Sequence, residues 1–251
     1  MTDVQAPIHP GESIDRLGYQ GLRIIQNPNK FKFTLDAFLL AAFVKPKSRD
    51  QVVDLGTGGG VLPLLLAGQG EVGGVLGIDI QPELAEMARR SVTLNRLESK
   101  IRIETADLRR ISEILPRNSF EYVISNPPFF PVIQGVVPEN QALAVAKFEI
   151  ECTLDDVARA ASRLVRGNGR VVLVYPADRL VALLTALEKY HLTPRRLALV
   201  HSRPASSAHL CLVEARPGAP SGLEVRPPVF IYNQDGDYTD LMNQIFHGKK
   251  I

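Results

Sequence analysis

Gln51-Val-Val-Asp-Leu-Gly-Thr-Gly-Gly-Gly60 is the stretch on which the fold turns. A short β-branched run passes into a glycine-rich turn, and Val61 to Ala67 then continues as a helix. Glycines at the end of a strand let the backbone come close to a ligand at the open carboxyl edge of a sheet. The same rhythm repeats on both sides of the later chain. Gly74 to Ile80 reads as a second buried strand. Pro82 sits at a first helical position, and Leu84, Met87, Ala88, Val92 and Leu94 mark a helix ending near Asn95. Ile101 to Thr105 and Phe120 to Ser125 are further strands. Thr153-Leu-Asp-Asp156 forms a capping box for a helix expected to stop at Gly167. Arg170 to Tyr175 is a strand, and a helix follows from about Asp178 to Tyr190. Strand and helix in alternation imply an α/β, doubly wound, mostly parallel sheet, of seven strands here. Arg195 to His201 and His209 to Arg216 break the rhythm. Joined by Pro204-Ala-Ser-Ser207 with no helix between, they should pair as a C-terminal antiparallel hairpin.

Composition narrows the class. The chain has 251 residues, 45% hydrophobic and 22% charged, which suits one sizeable α/β domain with an N-terminal elaboration. Residues 1–48 read as that elaboration, a basic lid over substrate and cofactor, and residues 49–251 as the main domain. No apolar run approaches the ~20 residues of a membrane span. Met1 to Glu12 lacks a signal-peptide pattern, so a cytoplasmic location is expected. Cys152 and Cys211 are isolated, without metal-like spacing, and read as small buried apolar side chains; no metal is expected. A net charge of +2 neither demands nor excludes a polyanionic partner.

Three ligands compete for the glycine turn. A Walker loop needs Gly-Lys-Ser/Thr, but Gly60 is followed by Val61-Leu62-Pro63. A dinucleotide fingerprint needs its third glycine where Val61 stands. The remaining pattern, Asp54-x-Gly56-x-Gly58-x-Gly60, places an acid just ahead of the glycines. That acid suits a ligand bearing an ammonium and a sulfonium, S-adenosylmethionine, and would repel a pyrophosphate. Asp79, at the end of the next strand, can accept both ribose hydroxyls, with Ile80 beside it. Asp107 follows the third strand, ahead of Leu108, and can accept from an adenine amino group. Any one of these acids alone could be a helix cap or a turn residue.

The fourth strand runs into Asn126-Pro-Pro-Phe129. Proline at 127 forces Asn126 out of helical geometry, and the two prolines remove backbone donors. A stiff loop then presents two acceptors, the Asn126 side chain and the Pro127 carbonyl. An amine conjugated to a ring is a poor nucleophile, and accepting its N–H hydrogens localises the lone pair. Phe129 offers an apolar face on which a base can stack.

With both loops in view, the chain resembles the small-domain methyltransferases that modify amino groups of nucleic acids or glutamine. More narrowly it resembles the bacterial valine-tRNA adenine-37 N6-methyltransferases. Leu22-Arg-Ile-Ile-Gln-Asn27, Leu35-Asp-Ala-Phe-Leu-Leu-Ala41, Gly77-Ile-Asp-Ile-Gln81, Arg89-Arg-Ser-Val92, Pro227-Pro-Val-Phe-Ile-Tyr-Asn233 and Tyr238-Thr239 carry that resemblance. It implies methyl transfer to adenine N6 in tRNA, with Thr34 and Asp36 (which read equally as a helix cap) lining the cofactor together with Asp54, Gly56, Thr57, Gly58, Gly60, Asp79, Ile80, Asp107, Leu108 and Asn126. Asn126, Pro127 and Phe129 are the expected catalytic loop. Two departures stand out: Phe129 replaces the family's usual tyrosine, and Lys147-Phe148-Glu149 stands where relatives often carry Arg-His-Glu. Other enzymes that fit are a protein-glutamine methyltransferase and an rRNA guanine-N2 methyltransferase; an inactive cofactor-binding module that grips RNA is the reading of another class. RNA is expected to be held through phosphates. Arg23 to Arg49 carries six basic residues (Arg23, Lys30, Lys32, Lys45, Lys47, Arg49) against one acid, Asp36. Arg195 and Arg196, with Arg203, form a second candidate group.

Overall fold

The structure is a computed structural model that describes residues 6–28, 33–70, 72–127 and 152–251. The N-terminal part forms a hairpin, β1 (Ser13–Arg16) and β2 (Arg23–Gln26), then helix α1 (Leu35–Phe43). Alternation follows: β3 (Gln51–Leu55), α2 (Val61–Gly68), β4 (Gly74–Asp79), α3 (Pro82–Leu94) and β5 (Ile101–Thr105). A one-turn helix at Leu108–Arg110 leads to α4 (Ile111–Ile114) and β6 (Phe120–Ser125). Next come α5 (Leu154–Leu164), β7 (Val165–Pro176), α6 (Leu180–Lys189), β8 (Leu192–His201) and β9 (Ala208–Pro217). Two-residue strands β10 (Glu224–Val225) and β11 (Val229–Phe230) precede α7 (Asp240–Phe246).

The long strands lie in the order β5-β4-β3-β6-β7-β9-β8, with β10 and β11 both paired along the outer side of β8. β3 to β7 are parallel, and β9 runs antiparallel between β7 and β8, so the expected hairpin is present. The parallel strands are buried on both faces. In β7, Val172 and Val174 enter one apolar cluster with α1 and α2, while Val171, Leu173 and Tyr175 enter another with α5 and α6. A strand's two-residue period, not its propensity, assigns those faces.

Some expected boundaries move. The capping box at Thr153 is present, with both its bonds to Asp156. The helix it opens ends at Leu164, however, and Gly167 lies inside β7 rather than at a helix end. Val165 already pairs with Phe120, and residues 166 to 169 bulge before Arg170 meets Tyr122. Gly169 permits the bulge, because a Cβ there would stand 2.8 Å from the Glu121 carbonyl. β8 begins at Leu192, through Pro194, where the ladder with β9 shifts register. Proline cannot donate to a ladder, so a bulge there costs little.

The N-terminal hairpin is fastened to α3. Arg90 pairs with Glu12 at 2.6 Å and Glu86 at 2.7 Å, its side chain 8% exposed. Ser91 Oγ accepts from Ile25 N, and Asn95 exchanges bonds with both the N–H and the carbonyl of Arg23. At the far end of the chain, Ile251 N donates to Ala42 O, and Lys250 Nζ to Ala41 O at the end of α1.

Candidate functional site

The carboxyl ends of β3, β4, β5 and β6 share one edge, and a cleft opens there. After Leu55 the chain turns at Gly56 (φ 77°), and the Gly56 and Thr57 amides donate to Ile78 O at 2.8 and 2.9 Å. A Cβ at Gly56 would meet nothing within 4 Å, so the glycine answers the left-handed backbone and leaves that face open. Gly60 (φ 82°) answers the same left-handed backbone and packing as well: a Cβ there would lie 3.0 Å from the Ala88 Cβ on α3.

Asp79 organises the loop. Its carboxylate accepts from Gly58 N at 2.7 Å and Gln81 N at 2.9 Å, and its carbonyl accepts from Ala106 N at 2.9 Å. Three strand ends are thereby tied together. Burial pushes the Asp79 carboxyl up, and the amides of Gln81, Gly58 and Ile80 oppose that shift. Each carboxylate oxygen keeps acceptor capacity beyond these amides. At the fourth strand end, Ser125 Oγ donates to Leu55 O at 2.7 Å, which fixes Asn126 beside the loop.

Polar atoms without partners mark where a ligand fits. Asn126 Oδ1 is buried with no hydrogen-bond partner among the described residues, and the buried Asp54 carboxylate has only the Thr57 hydroxyl beside it. Orphaned acceptors are uncommon enough to need a cause, and a cleft that expects a polar ligand supplies one. Asp54 is fully buried; burial, opposed by the Thr57 hydroxyl and aided by a smaller contribution from the Asp79 charge, pushes its carboxyl up to about 7.

Gly56, Thr57, Gly58, Asp79, Ile80, Asp107, Leu108, Asn126 and Pro127 all line the cleft. Asp54 and Gly60 are not part of the lining. Thr34 and Asp36 stand at the start of α1, outside the lining; burial raises the Asp36 carboxyl, opposed by a bond to Thr34 and by His209. Asp107 also caps the short turn after it: it accepts from Arg109 N and pairs with Arg109 at 2.7 Å, which holds its carboxyl low. Phe129, Lys30, Lys32 and Lys147 to Glu149 lie outside the described residues.

The remaining basic residues serve elsewhere. Arg23 donates to Leu94 O at the end of α3. Arg196 pairs with Glu214 at 2.9 Å and lies over the Phe43 ring, its centre 4.2 Å away. Arg195 holds the Pro220 carbonyl. Lys45, Lys47 and Arg49 precede β3 and so sit at the amino edge, one strand length (~17 Å) from the cleft. Burial, together with Arg196 and Arg226, lowers the Lys45 ammonium.

Other contributors gave weak sequence signals. Gln81, Leu84, Cys152 and Val157 also line the cleft. Cys211 is buried, as expected, its thiol pushed up to about 12, whereas Cys152 is half-buried on the cleft wall. Gly77 is a hidden requirement: a Cβ there would stand 2.8 Å from Thr57 Oγ1.

Known proteins resemble this chain. A methyltransferase-domain family model matches residues 46–217. A tRNA1(Val) (adenine(37)-N6)-methyltransferase from Porphyromonas gingivalis is 29% identical over 209 residues, 81% of each chain. One of the same description from Haemophilus influenzae is 26% identical over 76% of this chain and 85% of its own. Among solved structures, a predicted O-methyltransferase from Agrobacterium tumefaciens superposes with TM-score 0.69 at 24% identity, covering 86% of this chain and 97% of the other. A tRNA methyltransferase from Methanocaldococcus jannaschii gives 0.58 at 19%, covering 84% and 58%. These two structures share the fold. With more than half its length inside the family model, and an acid, a glycine turn and an Asn-Pro pair at successive strand ends, the chain belongs to the methyltransferase-domain family.

Proposed function

We propose that this methyltransferase moves a methyl group from S-adenosylmethionine to an exocyclic amino group, adenine N6 in a tRNA. The observation that carries the reading is Asn126 Oδ1, a buried acceptor without a partner, on the cleft wall just ahead of Pro127. Asn126 accepts one amine hydrogen, and the Pro127 carbonyl is the acceptor for the other. Held so, the nitrogen lone pair is localised towards the glycine loop. S-adenosylmethionine supplies an electrophilic methyl group on a sulfonium. The nitrogen would form the new carbon–nitrogen bond as the methyl–sulfur bond breaks and S-adenosylhomocysteine leaves, and its proton would then pass to solvent, so no strong base is needed. Gly56 to Gly58 would cradle the cofactor, Asp79 would accept from its ribose hydroxyls, Asp107 from its adenine, and Asp54 would place negative charge beneath its ammonium.

The choice of adenine in tRNA is supported by the relatives from P. gingivalis and H. influenzae, both described as acting there. Among the described residues no helix is long and apolar enough to cross a membrane. A cytoplasmic site of action suits an RNA substrate. Lys30 and Lys32 stand just before α1 in sequence and are the N-terminal cations assigned to RNA in this reading. The test is methyl transfer to unmodified tRNA and to protein, followed by nucleoside mass spectrometry. N6-methyladenosine in the tRNA is expected. Methylated glutamine in a protein, or N2-methylguanosine, would replace the reading.

A further inference from the structure

Beside the cleft, a second concavity lies between the 108–114 turn and α5. Arg109, Arg117, Arg159 and Arg163 line it, with Ser112 and Ser162 between them. Leu108 belongs to both walls, so groove and cleft open next to each other. Two of the arginines are neutralised, Arg109 by Asp107 and Arg159 by Asp156. The other two are not. Arg117 is exposed and its guanidinium has no partner among the described residues. Arg163 donates to Ser112 O at 3.2 Å, but its Nε is buried with no acceptor. A buried guanidinium donor left unmade is costly, and no carboxylate has been placed to meet it. The planar fork of a guanidinium matches a tetrahedral oxyanion, and a second free guanidinium on the same groove adds to that match.

We propose that this groove binds a phosphate group, and that the phosphate is a backbone phosphodiester of the RNA whose target base enters the neighbouring cleft. The proposal rests on the RNA reading above. A single pocket holds one base and cannot orient a folded RNA; phosphate contacts set its register. A free phosphoanion shares the chemistry, but the shared wall at Leu108 favours a ligand that spans both openings.

The test compares wild type with Arg117→Ala, Arg163→Gln and, as control, Arg102→Ala, whose side chain is 79% exposed on β5. Affinity for unmodified tRNA is measured across salt concentrations, along with kcat, KM, S-adenosylhomocysteine affinity and Tm. Each groove variant should lose ~10-fold in tRNA affinity and flatten the salt slope by about one. KM should rise while kcat and S-adenosylhomocysteine affinity hold; Arg102→Ala should change none of these. Arg117→Ala carries the test alone if Arg163→Gln lowers Tm. Wild type that methylates tRNA, with groove variants of unaltered affinity and slope, would overturn this inference and leave the functional reading intact. Wild type that methylates only protein would overturn both. Titration with inorganic phosphate, followed by phosphorus NMR, separates the sources. Binding lost in the variants while tRNA affinity stays put would make the groove a free-phosphate site and refute the RNA assignment.

Discussion

Asn126 concentrates the chemistry in one oxygen. Asn126→Ala should cut methyl transfer ~100-fold or more, the usual cost of one preorganised polar group at a reacting centre. S-adenosylhomocysteine affinity, read by calorimetry, should stay near that of wild type. Asp54 makes a pH-dependent contribution. Its folded carboxyl titrates near 7, above the ordinary 3.8, so the proton it keeps favours the fold at low pH. That stability is lost as pH rises through about 7. A ligand ammonium above it favours the ionised form. S-adenosylhomocysteine affinity should therefore rise from about pH 6 to about pH 8, and Asp54→Asn should abolish the rise. Asn126 stands directly after the end of β6 and Asp54 next to the last residue of β3, positions that the strand pattern of the sequence already marks. Arg23 and Arg196 were not legible in this way. Their charges looked available for RNA, but Asn95 and Leu94 lie about seventy residues from Arg23, and Glu214 is separated from Arg196 by a hairpin turn. A linear reading counts a cation without seeing what neutralises it.

Strand and helix identities were plain from periodicity, and the boundaries that moved did so for reasons of pairing. Val165 looked like the end of a helix because helix and strand both accept a buried valine; only its pairing with Phe120 decides. The short strands β1, β2, β10 and β11 carry too few residues for a two-residue period to emerge. One contact between elements escaped the sequence altogether. Gly77 in β4 makes room for Thr57 after β3, a Cβ meeting Thr57 Oγ1 at 2.8 Å and Ile103 Cδ1 at 2.7 Å. Gly77→Ala should cost ~1–3 kcal/mol through overpacking and weaken S-adenosylhomocysteine binding. Thr57→Ala in the same chain should restore part of the Tm, because the two changes share one space. Additive losses in the double variant would show that Thr57 is not what the glycine accommodates.

Across the whole molecule, the N-terminal hairpin and the tail hold the sheet from opposite sides. Glu12 anchors the first of these: Arg90 keeps its carboxyl below the ordinary 4.5, so the pair stabilises the fold above that value. The contribution disappears as pH falls through the lower, folded value. Glu12→Gln should lower Tm at neutral pH by a few degrees, with a smaller difference in acid, seen by thermal unfolding in a pH series. The tail acts on the other flank. β10 covers Arg196 and Leu197 of β8, and β11 covers Val200 and His201. Those short strands occupy hydrogen-bonding groups that an open sheet offers to any extended chain. Their residues are also made after the rest of the sheet during synthesis. Until they are made, the outer side of β8 is unguarded, so a partly synthesised chain is more exposed to clumping than one that carries them. A chain ended after Ser221 should scatter light at concentrations where the full chain stays clear.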